Sequence, residues 1–210
     1  MAENRSILSR KARPPDRLLR YGDHADQVID IWHGENYRPV VIFVHGGFWR
    51  PGYDRLHARP LGEALAADGW PVASIEYRRQ PGRPEVTVED IRTVLDRPFE
   101  LFGDLGTGFL LAGHSAGGQL VLWAASTMNP VGLRGTVALA PVADLALAEQ
   151  LDLDDGAVPD FLSDVVRADL DPALLPAPIT PVAIVHGTDD IRVPIHLSAR
   201  QAGELASAAS

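Results

Sequence analysis

Nearly continuous apolar runs recur along the chain and are separated by longer stretches with helical spacing. Short apolar runs predict strands, and runs that are apolar throughout are typical of strands covered on both faces of a sheet. The last five runs are of this second kind. The predicted strands are Gln27–His33, Val40–His45, Val72–Tyr77, Phe109–His114, Thr136–Ala140 and Val182–His186.

The stretches between these strands predict helices. Gly69 is a typical C-terminal stop for the first helix, and Pro98 is able to break the second. Because strand and helix alternate, we expect an α/β fold with a mainly parallel central sheet and helices on both faces. The predicted helices are Leu56–Asp68, Val86–Phe102, a helix from just after Ser115 to Met128, and a helix from Ile195 onward.

Residues 144–181 interrupt the alternation, since they are rich in Asp, Leu and Pro. They predict an excursion of short helices and loops that could serve as a small lid. Its charge run Asp152–Asp155 lacks the spacing and the glycine of an EF-hand calcium loop, so a solvated turn is expected there. The basic residues 1–20 predict a disordered leader, with a transit peptide as the alternative. Residues 21–210 are then expected to form one domain.

Composition limits the classes of function. The 210 residues suffice for one sizeable core, with 46% apolar and 22% charged residues. The lack of cysteine excludes disulfides, thiolate metal sites and a cysteine nucleophile, and the net charge of -9 argues against nucleic-acid binding. No apolar run approaches the ~20 residues that span a bilayer, and no signal peptide is evident. We therefore expect a cytoplasmic protein without a membrane partner; its oligomeric state stays open.

The stretch Gly113–Gly117 reads Gly-His-Ser-Ala-Gly and follows an apolar strand. This pattern, between a strand and a helix, predicts a sharp turn that exposes a nucleophilic serine, Ser115. The tight turn favours glycine two residues before and after the serine. His114 fills the variable position of the pattern and is expected to point away from Ser115. A chance match within a glycine-rich loop is the alternative.

The stretch His45-Gly46-Gly47-Phe48-Trp49 directly follows another apolar strand. The backbone N–H groups of Gly46 and Gly47, with that of Ala116, are expected to form an oxyanion hole, whose donors are typically worth ~3 kcal/mol each. His45 is expected to brace this loop by hydrogen bonding, with a role as general base as the alternative. Phe48 and Trp49 could line an aromatic substrate pocket or could pack locally; the sequence does not choose.

The third stretch, His186 to Pro194, again lies at a strand's end and reads HGTDDIRVP. An acid at this place would orient the catalytic histidine and stabilise its protonated form. The spacing H-G-x-x-D-x-x-V-P favours Asp190 over its neighbour Asp189.

Together, HGGFW, GHSAGG and HGTDDIRVP resemble the α/β-hydrolase superfamily, and within it the kynurenine formamidase-like hydrolases, whose loop reads HGGxW. The chain departs from the hormone-sensitive-lipase-like pattern HGGG and GDSAGG at Phe48 and His114. The QVIDIWH stretch and Ile75–Arg79 (IEYRR) support the resemblance, which implies an α/β-hydrolase fold. It also implies attack of serine on the formyl carbonyl of an aryl formamide such as N-formylkynurenine, without metal or organic cofactor.

The superfamily order Ser, Asp, His places the base one strand beyond the acid. After Asp190 the only histidine is His196, at the start of a helical pattern. We therefore expect a C-terminally truncated hydrolase that lacks its last strand and its catalytic histidine, with impaired turnover. His24, His33 and His57 lack a motif and are expected to be surface or packing residues. A small-acyl carboxylesterase and a catalytically dead binding protein are the two alternative functions.

Overall fold

Parallel strand pairing dominates the architecture of the chain. The computed structural model describes residues 6–163, 167–199, 201 and 203. Within them, seven strands form one sheet in the order β1-β2-β4-β3-β5-β6-β7. The strands are β1 (Arg17–Arg20), β2 (Val28–Trp32), β3 (Val40–Val44), β4 (Val72–Ile75), β5 (Phe109–His114), β6 (Leu133–Leu139) and β7 (Val182–Val185).

The pairing places the carboxyl ends of the inner strands at one edge of the sheet. β3 pairs in parallel with both β4 and β5, β5 with β6, and β6 with β7. Only β1 with β2 and β2 with β4 are antiparallel. Ligands of open α/β sheets bind beyond the carboxyl ends of such strands. The sheet thus brings the loops after β3, β5 and β7 together, as the sequence predicts.

Six α-helices connect the strands in the described part of the chain. Pro98 begins a new helix, which confirms the predicted break, and Gly69 has a φ of +87° just beyond the first helix. A 3₁₀ turn, Arg55–Ala58, precedes that first helix where one continuous helix was predicted. The helices are α1 (Arg59–Ala67), α2 (Pro84–Leu95), α3 (Pro98–Phe102), α4 (Ala116–Thr127), α5 (Leu145–Gln150) and α6 (Ala157–Leu162).

The core occupies both faces of the sheet. Along β3, Val41 and Phe43 belong to the apolar cluster that contacts α1, whereas Val40, Ile42 and Val44 belong to the larger cluster beneath α2 and α4. Alternate residues of a strand point to opposite faces, so a strand covered on both sides must be apolar at every position. This confirms the predicted layers, with helices on both faces of the sheet.

The predicted disordered leader is wrong for its last residues. Arg17–Arg20 form β1 and pair antiparallel with β2, and a 3₁₀ turn covers Ser6–Ser9. The four residues of β1 alternate between half-buried and exposed, and Leu18 is 54% exposed. Such a strand is held by backbone pairing more than by side-chain burial, so hydrophobic patterning gives little sign of it. Residues 1–5 lie outside the described residues.

The excursion 144–181 consists of short helices and loops, as predicted, where it is described. Asp144 caps α5 by accepting a hydrogen bond from the Leu147 N–H. Asp171 accepts from the N–H groups of Leu145 and Ala173, at 3.0 and 3.1 Å, and so ties both ends of the excursion together. Beyond β7, residues 196–199, 201 and 203 are helical, in agreement with the prediction of a helix from Ile195 onward.

Candidate active site

Ser115 lies on the sharp turn between β5 and α4. Its backbone has φ 55° and ψ −117°, a conformation that residues other than glycine seldom adopt. The Ser115 N–H donates to the carbonyl of Leu139 at 2.9 Å, which fixes the turn to β6. The residue is 5% exposed and directly precedes the first residue of α4, so the positive end of the helix dipole faces the serine.

Glycine is required on both sides of this turn because the backbone passes so close. A Cβ on Gly113 would lie 2.3 Å from the carbonyl oxygen of Gly117. A Cβ on Gly117 would lie 2.1 Å from the carbonyl oxygen of Val44. Both distances are far below van der Waals contact. The two motif glycines therefore let α4 approach β5 and β3 closely enough to hold Ser115 in place.

The loop after β3, residues 45–50, packs directly against the serine. We name it the oxyanion loop after the role predicted for its N–H groups. A Cβ on Gly46 would lie 3.0 Å from the Cβ of Ser115, so Gly46 is its immediate neighbour. Gly47, Phe48 and Trp49 have φ angles of +118°, 50° and 54°, a strained run that turns the backbone sharply after the strand. Among the described residues, no acceptor is found for the N–H groups of Gly46, Gly47 or Ala116.

His45 is fully buried and uses both ring nitrogens within the protein. Its Nδ1 donates to the carbonyl of Gly46 at 2.7 Å, and its Nε2 lies 3.1 Å from a carboxylate oxygen of Glu76. The ring stacks on Tyr77 at 4.5 Å, and the Tyr77 hydroxyl donates to the His45 carbonyl at 2.9 Å. These contacts brace the loop and leave His45 no free nitrogen for proton transfer. The geometry thus favours the bracing role over the general base.

Glu76 anchors this brace from the end of β4. Burial alone would raise the pKa of its carboxyl, but the hydrogen bond and charge of His45 and the charge of Arg79 lower that pKa to about 2. The Arg55 N–H donates to the same carboxylate at 2.8 Å, and Arg79 is also bonded to it. Glu76 is therefore ionised at neutral pH and holds both His45 and the chain after the oxyanion loop.

The rings of Phe48 and Trp49 are both buried. The Trp49 indole stacks on Phe161 of α6 at 4.6 Å, and its N–H donates to Gln119 of α4 at 3.1 Å. The guanidinium of Arg192 lies 5.5 Å from the centre of the Phe48 ring. Trp49 thus takes part in local packing, the second of the two roles that the sequence left open. Phe48 connects its own loop with the loop after β7 through the contact of its ring with Arg192.

The loop after β7 distinguishes the two candidate acids. Oδ1 of Asp190 accepts from the N–H groups of Arg192 and Val193, both at 2.9 Å. No hydrogen bond to its Oδ2 is found in the described part of the chain, and the His186 Nε2 atom lies 3.8 Å from that oxygen. Asp189 is exposed, and among the described residues its carboxylate accepts a hydrogen bond from the Thr188 hydroxyl at 3.5 Å. The held, half-buried carboxylate of Asp190 fits the orienting acid better than Asp189.

The side chain of His186 also holds the loop that carries Asp190. Its Nε2 donates to the carbonyl of Val193 and its Nδ1 accepts from the Ser198 hydroxyl, each at 2.7 Å. The two bonds close the loop that carries Asp190 onto the helical residues that follow it. The position of the acid is therefore set by the backbone rather than by a flexible side chain.

No histidine is hydrogen-bonded to Ser115 among the described residues. The ring of His114 lies beside the oxyanion loop, with Nδ1 3.1 Å from where a Cβ on Gly46 would sit. Burial lowers the pKa of His114, an effect that the charge of Asp190 opposes. Burial and the charge of His45 also lower the pKa of His57, to about 4. His196 is exposed.

The structure adds site residues that the motifs do not contain. Gln119 is fully buried and joins Trp49 to the excursion, because its amide donates to the Leu170 carbonyl at 2.7 Å. Asp154 pairs with Arg50 at 2.8 Å and also with Arg192, so the charge run 152–155 is not simply solvated. Glu76, which also lies outside the three motif loops, did have a sequence signal. It belongs to the IEYRR stretch that supports the family resemblance.

The described residues hold no cluster of three or more His, Cys, Asp or Glu arranged to bind a metal ion. No helix in the same part of the chain is long and apolar enough to cross a membrane.

Sequence comparison connects this geometry to known proteins. The Alpha/beta hydrolase family matches residues 41–209, which contain all three motif loops. Esterase LipC of Mycobacterium tuberculosis is 34% identical over 121 residues, or 54% of this chain and 30% of that protein. Kynurenine formamidase of Drosophila melanogaster is 31% identical over 111 residues, or 49% and 35%. The chain thus spans about a third of the length of these two relatives.

Structure comparison agrees on the fold. Esterase B of Lactobacillus rhamnosis superposes with a TM-score of 0.72 at 23% identity, over 97% of this chain and 75% of that one. A likeness at this level of identity concerns the fold alone. It confirms the α/β-hydrolase arrangement of sheet and helices expected from the motifs.

Proposed function

Because the chain belongs to the alpha/beta hydrolase family, we propose that Ser115 is the nucleophile of a hydrolase that removes a small acyl group through an acyl-enzyme. The observation that carries this proposal is the strained backbone of Ser115, with φ 55° at the first turn of α4. Such strain persists only where the surroundings hold it, and it clusters at catalytic positions. It holds the Ser115 side chain beside Gly46, at the first turn of α4.

In the proposed reaction, Ser115 Oγ attacks the carbonyl carbon of the substrate. The Oγ–C bond forms while the carbonyl oxygen becomes an anion, and the N–H groups of Gly46, Gly47 and Ala116 stabilise that anion. The C–N bond of an amide, or the C–O bond of an ester, then breaks, and the leaving group takes the serine proton. Water attacks the acyl-enzyme and releases the acid and free Ser115. Asp190 would orient the imidazole that relays the proton, although no histidine is hydrogen-bonded to Ser115 among the described residues.

We propose an aryl formamide such as N-formylkynurenine as the substrate class. The support is the HGGFW loop and the similarity to kynurenine formamidase. A formyl group is the smallest acyl group, and the buried ring of Phe48 within the oxyanion loop suits a narrow acyl site. A small-acyl ester is the second candidate substrate, favoured by the similarity to esterase LipC.

The proposal is tested by labelling the 210-residue chain with a fluorophosphonate probe and by measuring kcat/KM for N-formylkynurenine and p-nitrophenyl acetate. Because no histidine is hydrogen-bonded to Ser115 among the described residues, we expect weak label on Ser115, no label on Ser115→Ala, and slow turnover with a higher kcat/KM for the formamide. Strong label on Ser115 would show that an activating base is present. Ser163→Ala is the matched control, because its hydroxyl donates to the Gly82 carbonyl, which belongs to none of the three motif loops. The control should label and turn over like the unchanged chain.

Each contrary result has a separate meaning. A marked preference for the ester would replace the formamidase assignment with a small-acyl esterase. Label that persists in Ser115→Ala would remove Ser115 as the nucleophile. A chain that neither labels nor turns over, yet binds the formamide in calorimetry, would support the catalytically dead binding protein instead.

A further inference from the structure

A strained acidic turn, residues 152–156 of the excursion, contacts two of the motif loops. Asp152, Asp154 and Asp155 have φ angles of 49°, 51° and 52°, and Gly156 follows with 79°. Three such angles in L residues within four positions are costly, whereas Gly156 adopts its angle freely, so contacts from outside must hold the turn. Asp152 and Asp155 are exposed, but the Asp154 side chain is only 17% exposed.

Arg50 reaches this turn from the oxyanion loop. Its Nε donates to Oδ2 of Asp154 at 2.8 Å, and its Nη2 donates to the carbonyl oxygens of Asp154 and Asp155. Its Nη1 pairs with Asp160 at 2.9 Å. Arg50 itself is fixed, because its N–H donates to the Gly47 carbonyl at 2.9 Å. One side chain thus joins the oxyanion loop to the whole acidic turn.

Arg192 reaches the same carboxylate from the opposite side. Its Nη2 is bonded to Oδ1 of Asp154, the oxygen that Arg50 does not use. Its backbone N–H donates to Oδ1 of Asp190 at 2.9 Å, and its guanidinium covers the Phe48 ring. Asp154 therefore links the loop that supplies the oxyanion donors to the loop that carries the acid.

We propose that Asp154 is a positioning residue whose two carboxylate oxygens clamp the oxyanion loop, through Arg50, to the acid loop, through Arg192. The catalytic part of this inference rests on the proposed function of Ser115; the mechanical part does not. Charge-assisted pairs of a half-buried carboxylate are stronger than exposed ion pairs, which contribute little. With Arg50 32% and Arg192 40% exposed, salt still weakens the clamp.

The clamp has a defined kinetic consequence. Acyl transfer needs the oxyanion donors and the acid held in one geometry, and a misplacement of about 1 Å can cost ~100-fold in rate. Loosening the clamp changes how well the transition state is held more than how well the substrate is bound. We therefore expect Asp154→Asn to lower kcat about 10-fold, while KM changes less than about 2-fold.

The test is hydrogen exchange of the full chain, read at residues 46–50 and 187–193. Asp154→Asn keeps the size and the tolerance for left-handed φ but removes the charge. Asp155→Asn is the matched control, because Asp155 is exposed and gives Arg50 only its carbonyl. We expect exchange to rise at least about 5-fold in both segments of Asp154→Asn and in neither segment of the control.

Salt provides an independent arm. In 1 M NaCl, where the screening length falls to about 3 Å, exchange in the same two segments should rise for the unchanged chain. It should rise less for Asp154→Asn, in which only the pair between Arg50 and Asp160 remains of the ion pairs described above. If Asp154→Asn does not fold, Arg192→Gln breaks the same pair from the acid loop and should loosen the same segments.

Three results overturn the proposal. Exchange that rises only within 152–160, or equally in both Asn variants, would show that Asp154 merely stabilises its own turn. Equal kcat for Asp154→Asn and Asp155→Asn on p-nitrophenyl acetate would remove the positioning role. Exchange requires no turnover, so a chain that hydrolyses neither substrate refutes the proposed function and leaves the clamp to be decided by exchange.

Discussion

At the scale of single residues, the site depends on backbone conformations and close approaches that few side chains permit. Ser115, Phe48 and Trp49 all have φ near 50°, although each carries a Cβ. The strain is held by neighbours that lack a Cβ. Gly117 is the clearest of these, because its Cα faces the carbonyl oxygens of Val44 and His45. The turn that carries Ser115 therefore depends on glycine at position 117, where a side chain would not fit.

Gly117→Ala should destabilise the fold by about 1–3 kcal/mol, since its Cβ would lie 2.1 Å from the Val44 carbonyl oxygen and the backbone must shift. The free energy of unfolding in urea measures this. Gly187→Ala is the control, because a Cβ there meets nothing within 4 Å and should change stability by less than about 0.5 kcal/mol. Equal losses in both variants would contradict the steric argument.

At the scale of elements, one buried amide joins three parts of the site. Gln119 lies on α4 and is 0% exposed. Its oxygen accepts from Trp49 of the oxyanion loop, and its nitrogen donates to Leu170 of the excursion. Trp49 also stacks on α6. The excursion is therefore attached to α4, the helix that begins directly after Ser115.

Gln119→Ala leaves the Trp49 N–H and the Leu170 carbonyl without their partner. Buried groups without a partner cost about 1–3 kcal/mol each, so we expect a loss of about 2–4 kcal/mol in unfolding free energy. Alanine favours helices, which means that α4 itself is not weakened. Gln80→Ala, at an exposed position, is the control and should stay within about 0.5 kcal/mol. A loss no larger than the control's would show that this amide does not hold the elements together.

At the scale of the whole molecule, a buried ionic network runs under the site across three strands. Asp30 of β2 is fully buried and pairs with Arg59 at 2.7 Å and Arg55 at 3.0 Å. Arg55 also contacts Glu76, which holds His45 after β3. Buried charges of this kind are costly when one partner is lost. The network therefore couples the stability of the molecule to pH.

Glu76 should make stability fall in acid. Its pKa is about 2 in the folded chain against an ordinary 4.5, so the stabilisation is complete above about pH 4.5 and is lost as the pH falls toward 2. The difference corresponds to about 3 kcal/mol. Glu76→Gln should be less stable at pH 7 and should lack this slope between pH 4 and 2.

Unfolding free energies across that range measure the effect, and Glu100→Gln, an exposed carboxylate, is the control that should keep the slope. His57 affects the free energy of unfolding at a higher pH than Glu76 does. Its pKa is lowered to about 4, so its contribution is lost as the pH falls from 6.5 toward 4. A slope below pH 4 that persists in Glu76→Gln would assign the acid sensitivity elsewhere.

The sequence by itself determined the strands of the inner sheet, the break at Pro98 and the loops that carry Ser115, Gly46 and Asp190. These features are local: apolar runs, proline, and glycines whose role depends on neighbours along the chain. Only the tertiary structure decided that Trp49 packs on α6, that Gln119 joins Trp49 to the excursion, and that Asp154 is paired. The last pairing joins residues 104 positions apart in sequence. Such partners are chosen by the fold, because any of several acids in the same turn carries the same charge and only its place in space selects one.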